Sequence, residues 1–293
     1  MATGTPQHVT IVGVGLLGGS AGLALKAHDP EIRVAGVGRR QASLDRALAV
    51  GAIDTAHLDA AEAVDRTDLV ILATPVGAFQ GYLRRIAPHL RRGAIATDVG
   101  STKAAVVRSA GRALGHDRFV GSHPMAGSER KGVGFARADL FLGATCIVTP
   151  AAKTPPAVTA RVERLWASMG MRTVRMTPHA HDRAVARVSH LPHALASLLM
   201  RLPRLAELDV SATGFRDATR LASGDPEMWR DIFLTNRRQV LAAIDDFDEE
   251  LIALRDLVEL GDARGLARFF AAAKKRRDAT VAQIIHDRRI AAE

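Results

Sequence analysis

The chain has 293 residues, a length typical of one large domain or two ordinary ones, and a formal net charge of +9. Its basic residues are spread along the sequence and only 4% of all residues are aromatic, so we expect no nucleic-acid partner. Residues 1–7 lack the apolar core of a signal peptide, and no apolar run approaches the ~18 residues of a membrane span, so we expect no membrane partner and a cytoplasmic location.

A glycine-rich turn between a strand and a helix is the first informative pattern. The β-branched run 9–12 predicts a buried strand, and residues 19–27 predict a helix that begins inside the glycine loop. Gly13 permits the tight turn, Gly15 lets a pyrophosphate approach the backbone, and Gly18 lets helix and strand pack closely. The alternative is a purely structural βαβ turn. The predicted cofactor contacts of this loop are Gly13, Gly15, Leu16, Leu17 and Gly18.

The end of the second predicted strand bears on the choice of cofactor. Residues 32–37 predict this strand, and an acid ~20 residues past the glycine loop would bind the adenine ribose of NAD. Arg39 and Arg40 stand there instead. Because arginine pairs with a 2′-phosphate, both are predicted cofactor contacts that slightly favour NADP over NAD. The alternatives are a solvated helix start and arginine stacked on adenine.

Two more strands end in polar turns. The predicted elements are strands over 68–73 and 94–99 and a helix over 104–114. Thr74 and Pro75 end the first of these strands at the carboxyl edge, where sheets of this kind bind ligands, so both are predicted cofactor contacts. Ser101 follows the second strand and is expected to cap the helix.

The alternation of strands and helices predicts the fold class. Further strands are predicted from residue 119, over 145–148 and over 172–176, with a helix over 156–169. This order favours a doubly wound, mostly parallel Rossmann-type sheet, which the strands over 145–148 and 172–176 would finish. Cys146, the only cysteine, is predicted to be a buried strand thiol.

The pattern changes after residue 177, where strand-like runs give way to helical periodicity. Residues 178–202 predict one apolar-striped helix kinked at Pro192, and residues 221–260 and 266–290 continue the helical pattern. The sequence therefore predicts two domains: a dinucleotide-binding domain over 1–177 and an all-helical substrate domain over 178–293.

Several histidines are candidates for chemistry. His123 lies between a predicted strand and a glycine-rich turn on the cofactor edge, and a histidine there can take a proton near neutral pH. Its alternative role is structural. His190 and His193 share one helix face. His179, His181 and Asp182 precede them, but the spacing lacks the glutamate of a metalloprotease helix. We predict no metal and a helix that presents one histidine to the cofactor cleft.

An arginine-containing segment follows in the helical region. Asp217 and Arg220 are neighbours on a predicted helix, and Trp229 follows shortly after. Arginine is the natural clamp for a substrate carboxylate, whereas the alternative is an intrahelical ion pair that contributes little.

Together these segments resemble the prephenate/arogenate dehydrogenase family of tyrosine biosynthesis. The resemblance covers nearly the whole chain. It rests, in order, on VGVGLLGGS, DVGSTK, GSHPMAGSE, SHLPH and GFRDATRLASGDPEMWRDI, of which the last three are the most specific. It implies a nucleotide-binding domain followed by a helical dimerisation domain, and hence a homodimer with a small-molecule substrate.

The resemblance also implies a reaction and residue roles. Prephenate would lose a hydride to NAD(P) and then CO2, giving 4-hydroxyphenylpyruvate; arogenate, or both substrates, is the alternative. His123 would accept the proton of the ring 4-hydroxyl, Ser101 would orient that hydroxyl, and His193 would lie across the pocket. Arg220 would bind a substrate carboxylate. The implied supporting residues are Glu129, Asp217 and Trp229.

Two rival classes are less well supported. A β-hydroxyacid dehydrogenase would need a lysine base on the helical domain, but no lysine occurs between Lys153 and Lys274. A non-catalytic dinucleotide sensor would keep the glycine loop without needing His123, Ser101 and Arg220 together.

Overall fold

The computed structural model describes residues 6–127 and 130–290. A five-stranded parallel sheet forms the first part of the chain. Its strands are β1 (His8–Val12), β2 (Arg33–Val37), β3 (Thr55–His57), β4 (Leu69–Leu72) and β5 (Ile95–Asp98), in the spatial order β3-β2-β1-β4-β5. The strand order reverses between β1 and β4. In such sheets the loops after the two strands diverge there and leave a crevice at the carboxyl edge.

Helices cover both faces of this sheet. They are α1 (Leu16–His28), α2 (Gln41–Ala49), α3 (Ala60–Ala63), α4 (Phe79–Ile86) and α5 (Ala104–Leu114). A further helix, α6 (Pro156–Ser168), packs against a second sheet. Alternate residues of one strand enter opposite cores, since Leu69 and Ile71 belong to one buried cluster and Val70 and Leu72 to the other. Burial on both faces explains why the strand sequences are continuous apolar runs.

A second, three-stranded sheet replaces the predicted continuation of the first. It contains β6 (Gly121–Pro124), β7 (Thr145–Thr149) and β8 (Arg172–Arg175), with β6 antiparallel and β8 parallel to β7. The Rossmann-type fold class is confirmed, but the expectation that these later strands finish the first sheet is wrong, and residue 119 contributes only one bridge, to Ala96. The physical reason is that the Asp98 carboxylate, rather than a β5 backbone carbonyl, accepts the Ser122 N–H.

The chain is helical after β8 throughout the part that the structure describes. The helices are α7 (Pro178–Val185), α8 (Leu191–Arg201), α9 (Leu205–Leu208), α10 (Thr213–Thr219), α11 (Pro226–Thr235), α12 (Arg237–Glu259) and α13 (Ala263–Ile290). A π-helical turn (Ala186–His190) joins α7 to α8 without a break in the helical backbone, so residues 178–201 form one helical run with a wider turn just before Pro192. Pro192 cannot donate a backbone hydrogen bond to the preceding turn, and the wider turn accommodates this loss. The predicted helical run 221–260 begins in a 3₁₀ turn (Arg220–Ser223) and is divided at Asn236, between α11 and α12.

The described residues form two compact units that divide between Arg237 and Arg238. The first contains both sheets and helices α1 to α11. The second contains most of α12 together with α13, which a turn at Gly261 connects. The predicted domain boundary after residue 177 stays a prediction. Among the residues described, no helix is both long and apolar enough to cross a membrane.

Candidate active site

The glycine loop after β1 has the geometry that an anion site requires. Gly13 has a φ of +104°, and a Cβ there would lie 2.6 Å from the Ala73 carbonyl oxygen. A Cβ on Gly18 would lie 2.0 Å from the Gly13 oxygen. In contrast, a Cβ on Gly15 would meet nothing within 4 Å. The loop is thus closed towards the sheet and open at Gly15, where a phosphate can approach the backbone.

The first turn of α1 leaves its N–H groups open to a ligand. Leu16 and Leu17 begin this helix, no side chain caps it, and its first turn contains no acidic residue. The uncapped N–H groups and the positive end of the helix dipole suit a pyrophosphate. These residues therefore fit a dinucleotide.

The turns that follow β1, β4 and β5 adjoin one another. A Cβ on Gly13 would also lie 2.8 Å from Thr74 Cγ2, beyond which Pro75 begins the turn into α4. A Cβ on Gly100 would lie 2.6 Å from Val76 Cγ1. The structure therefore places the predicted cofactor contacts of β4 beside the glycine loop and places the Ser101 segment next to them.

Arg39 and Arg40 lie between β2 and α2, and both are exposed. In the described part of the chain, neither guanidinium has an ion pair or a side-chain hydrogen bond. Two uncommitted cations at the end of β2 suit an additional phosphate group.

His123 lies within β6, not in a loop as its sequence context suggested. Its Nδ1 lies 2.9 Å from Nε2 of the buried His181, whose own Nδ1 lies 2.9 Å from Asp182 Oδ1. Burial lowers the pKa of His123 well below its ordinary value of 6.5, and the charges of His181 and Lys103 lower it further. His123 is therefore neutral at neutral pH and can accept a proton.

Asp182 connects this histidine pair to the start of α5. Its Oδ1 accepts the Lys103 N–H at 2.7 Å, and its Oδ2 accepts the Ala104 N–H at 2.8 Å. Burial raises the pKa of Asp182, but its hydrogen bonds with His181 and with the two backbone N–H groups outweigh burial and lower that pKa overall. Asp182 is consequently the ionised cap of α5. The expectation that Ser101 caps this helix is wrong, because the cap position is Lys103 and the accepting carboxylate comes from α7.

A buried ion pair lies beneath His123. Lys103 Nζ contacts Asp98 Oδ2 and donates to the Ser122 carbonyl at 2.8 Å, with both charged side chains fully buried. Burial lowers the pKa of Lys103 and raises that of Asp98, and the contact between them opposes both shifts. This pair ties β5 to β6 and places a cation near His123.

The helical side of the first unit brings two more predicted residues together. The rings of His193 and Trp229 stack with centroids 3.5 Å apart and an interplanar angle of 11°. His190 contacts the same indole edge-on at 6.1 Å, and burial lowers the pKa of His190 to about 4. Its Nδ1 lies 3.2 Å from Asn236 Nδ2. Both histidines of SHLPH thus face Trp229, and the described residues form no cluster that could hold a metal.

The arginine segment is exposed. Arg220 begins the 3₁₀ turn that packs against α8, the helix of His193. Its backbone N–H donates to the Asp217 carbonyl, but in the described structure no ion pair joins the two side chains. Arg220 is therefore not committed to the intrahelical pair and can bind a ligand. Glu129 lies outside the described residues.

Sequence reasoning missed the role of three buried residues. His181 and Asp182 were noted only as neighbours of a rejected metal site, although an adjacent His-Asp pair at a helix start was an available signal. Asn236, whose Nδ2 donates to the Asp182 carbonyl at 2.8 Å, had no such signal.

Fold and site together define a class, a nicotinamide-dependent dehydrogenase built on a Rossmann-type sheet with a helical region after it. The family models that match are "Prephenate dehydrogenase, nucleotide-binding domain" over residues 21–175 and "Prephenate dehydrogenase, dimerization domain" over residues 177–272. The chain belongs to the prephenate dehydrogenase family.

Individual relatives agree with this assignment. The chain is 37% identical to prephenate dehydrogenase of Bacillus subtilis, over 92% of this chain and 75% of the relative. It is 35% identical to cyclohexadienyl dehydrogenase of Zymomonas mobilis, over 92% and 95% of the two chains. The crystal structure of prephenate dehydrogenase from A. aeolicus with hydroxyphenyl propionate and NAD+ matches with a TM-score of 0.90 and 34% identity, covering 95% of this chain and 100% of that one.

Proposed function

We propose that the chain oxidatively decarboxylates prephenate to 4-hydroxyphenylpyruvate, with hydride transfer to NAD(P), in tyrosine biosynthesis. The observation that carries this proposal is a neutral His123 in hydrogen-bond contact with His181, in a prephenate dehydrogenase family member whose glycine loop is open at Gly15. A base at that point suits removal of a hydroxyl proton while hydride leaves the same carbon.

Two residues of the chain act on the ring 4-hydroxyl: one accepts its proton and the other orients it. His123 accepts the proton of the ring 4-hydroxyl, and Ser101, at the end of β5, orients that hydroxyl. The nicotinamide, when bound, accepts the hydride. The resulting ring ketone is conjugated to the carbon that bears the carboxylate, so CO2 departs, the ring becomes aromatic, and the phenolate oxygen regains a proton from His123. Aromatisation of the ring makes the overall reaction effectively irreversible.

Five further residues complete the proposed pocket. His193 and Trp229, stacked on each other, form the helical side, and Arg220 binds a substrate carboxylate through its guanidinium. Asp217 and Glu129 are supporting residues of the substrate pocket.

We assign the cofactor to the glycine loop and the neighbouring turn. Gly13, Gly15 and Gly18, with Leu16 and Leu17 at the helix start, would hold its pyrophosphate, and Thr74 and Pro75 would contact the cofactor from the neighbouring turn. NADP is slightly favoured over NAD, because Arg39 and Arg40 are free to pair with a 2′-phosphate.

We also propose a homodimer built from the helical region. This region exposes large apolar side chains that a partner would cover, among them Leu202, Leu205, Val210, Leu234 and Leu260. A cytoplasmic location stays a prediction.

Arogenate dehydrogenase, or a dual-specificity enzyme, is the second candidate function, favoured by the similarity to cyclohexadienyl dehydrogenase. The deciding experiment measures reduction of NAD and NADP by the purified protein with prephenate and with arogenate. Prephenate-dependent reduction is expected. Turnover of arogenate alone would favour the second candidate, and no turnover of either substrate with either cofactor would refute both.

A further inference from the structure

A buried chain of hydrogen bonds leads from the start of α5 to His123. It runs from the Lys103 and Ala104 N–H groups to the Asp182 carboxylate, then to His181 and then to His123. Every donor–acceptor distance along it lies between 2.7 and 2.9 Å. His181 is fully buried and Asp182 is 1% exposed, so water cannot replace the links between them.

The direction of each hydrogen bond follows from its fixed end. Backbone N–H groups only donate, so both Asp182 oxygens accept, and Asp182 has no proton to give because its hydrogen bonds keep it ionised. The Nδ1 of His181 must then carry the proton that it shares with Asp182 Oδ1. Since burial keeps His181 neutral, its Nε2 has a lone pair and can only accept. His123 therefore donates its Nδ1–H to His181, and its own lone pair lies on Nε2.

We propose that His181 and Asp182 are positioning residues that fix the tautomer of His123, leaving Nε2 as the atom that accepts the substrate hydroxyl proton. This inference rests on the proposed function, in which His123 is the base. The same chain of hydrogen bonds orients the imidazolium that forms, because His123 donates through His181 towards a carboxylate.

The surroundings of His123 keep its ring neutral, so its tautomer has to be set by a hydrogen-bond partner. The ionisable groups that face it are His181, His190 and Lys103. Burial, with these groups adding to it, disfavours protonation of His123 and leaves a neutral ring, which has two tautomers. Only the tautomer with a free Nε2 can take a proton from a ligand while Nδ1 stays bonded to His181.

The direct test is ¹⁵N NMR of the full-length protein with labelled histidines, recorded at neutral pH without substrate. We expect the His123 signals, assigned by their loss in His123→Asn, to show a protonated Nδ1 and an unprotonated Nε2. A proton on Nε2 would overturn the proposal. This readout does not depend on turnover, so it distinguishes failure of the tautomer assignment from failure of the proposed function.

A matched pair of variants tests the link to catalysis. In His181→Gln, the amide oxygen can still accept from His123 Nδ1, so the tautomer and most of kcat should be retained. His181→Leu has similar bulk but no acceptor, so kcat should fall about 10- to 100-fold with KM little changed. Both variants keep Asp182 as the cap of α5. A His181→Leu enzyme with wild-type kcat would refute the positioning role. If the leucine variant does not fold, the NMR measurement on the wild type still tests the proposal. A His181→Gln variant that lost the proton on His123 Nδ1, or lost its activity, would also refute the positioning role.

Discussion

Two helices begin after strands at the same edge of the parallel sheet, and they differ in how their first N–H groups are satisfied. The start of α1 after β1 has no side-chain cap and no acidic residue. The start of α5 after β5 donates to a carboxylate from α7, Asp182. The open helix start is suited to an external anion, whereas the closed one uses an internal anion to order His181 and His123. Cofactor affinity and proton transfer therefore depend on separate helix ends.

The largest effect on activity should come from His123→Asn. This variant tests whether the start of α5 acts in proton transfer independently of the cofactor site at the start of α1. Asparagine keeps a hydrogen bond but cannot accept the proton, so kcat should fall by about 10²- to 10⁴-fold. Cofactor dissociation constants should stay unchanged, because the start of α1 is untouched. In the wild type, kcat/KM should rise with pH through the His123 pKa, which lies below 6.5. Steady-state kinetics over pH, with the exposed His89→Asn as the control, measure both effects.

Gly15→Asp should place a carboxylate at the uncapped start of α1, as Asp182 does at the start of α5. Gly15 has φ −84° and ψ −154°, a conformation open to any residue, and a Cβ there has free space, so folding should persist. Cofactor affinity should fall about 10²- to 10³-fold, because like charges ~4 Å apart repel strongly near a protein surface. Gly15→Asn is the matched neutral control in a calorimetric titration. Equal losses in the two variants would point to bulk rather than charge.

Replacing Arg39 and Arg40 by glutamine should change the selectivity of the open site without changing its pyrophosphate end. Loss of a charge-assisted pair costs about 1.5–3 kcal/mol, so NADP should bind about ten- to a hundred-fold more weakly while NAD changes little. The comparison is between dissociation constants for both cofactors. Arg84→Gln, on the exposed face of α4, serves as the control. The same loss for NAD and NADP would mean that the arginines do not read the 2′-phosphate.

The two helix starts also show what the sequence can and cannot predict. The open one was predictable because everything it needs is local: three glycines, a buried strand before them and a helix after them. The closed one was not, because the accepting carboxylate at Asp182 is 78 residues away from Ala104. A helix is normally capped by its own neighbouring residue, which is why Ser101 was the natural expectation.

The second sheet escaped prediction for a related reason. The buried runs at β6, β7 and β8 were recognisable as strands, but their partners were not. A side chain, Asp98, takes the Ser122 N–H that would otherwise extend the first sheet. A hydrophobic pattern shows which residues are buried. It does not show that the Ser122 N–H donates to the Asp98 carboxylate, which is buried and paired with Lys103, rather than to a backbone carbonyl of β5.

The smallest effect, and the one that isolates the closed helix start, is the stability change in Asp182→Asn. The amide has a single acceptor oxygen for the Lys103 and Ala104 N–H groups, so the variant should lose about 1–3 kcal/mol of unfolding free energy. Since the folded-state pKa of Asp182 lies below 3.8, its contribution is present above that pH and is lost as the pH falls through the folded value.

The stability gap between wild type and Asp182→Asn, measured by urea unfolding, should therefore be constant above pH ~5 and close under more acidic conditions. The exposed Asp65→Asn should show no such gap. A gap that persisted at low pH would mean that shape, not charge, matters at Asp182. The starts of α1 and α5 would then differ in packing rather than in the presence of a charged cap. In addition, an ionised Asp182 could no longer account for the proton on His181 Nδ1.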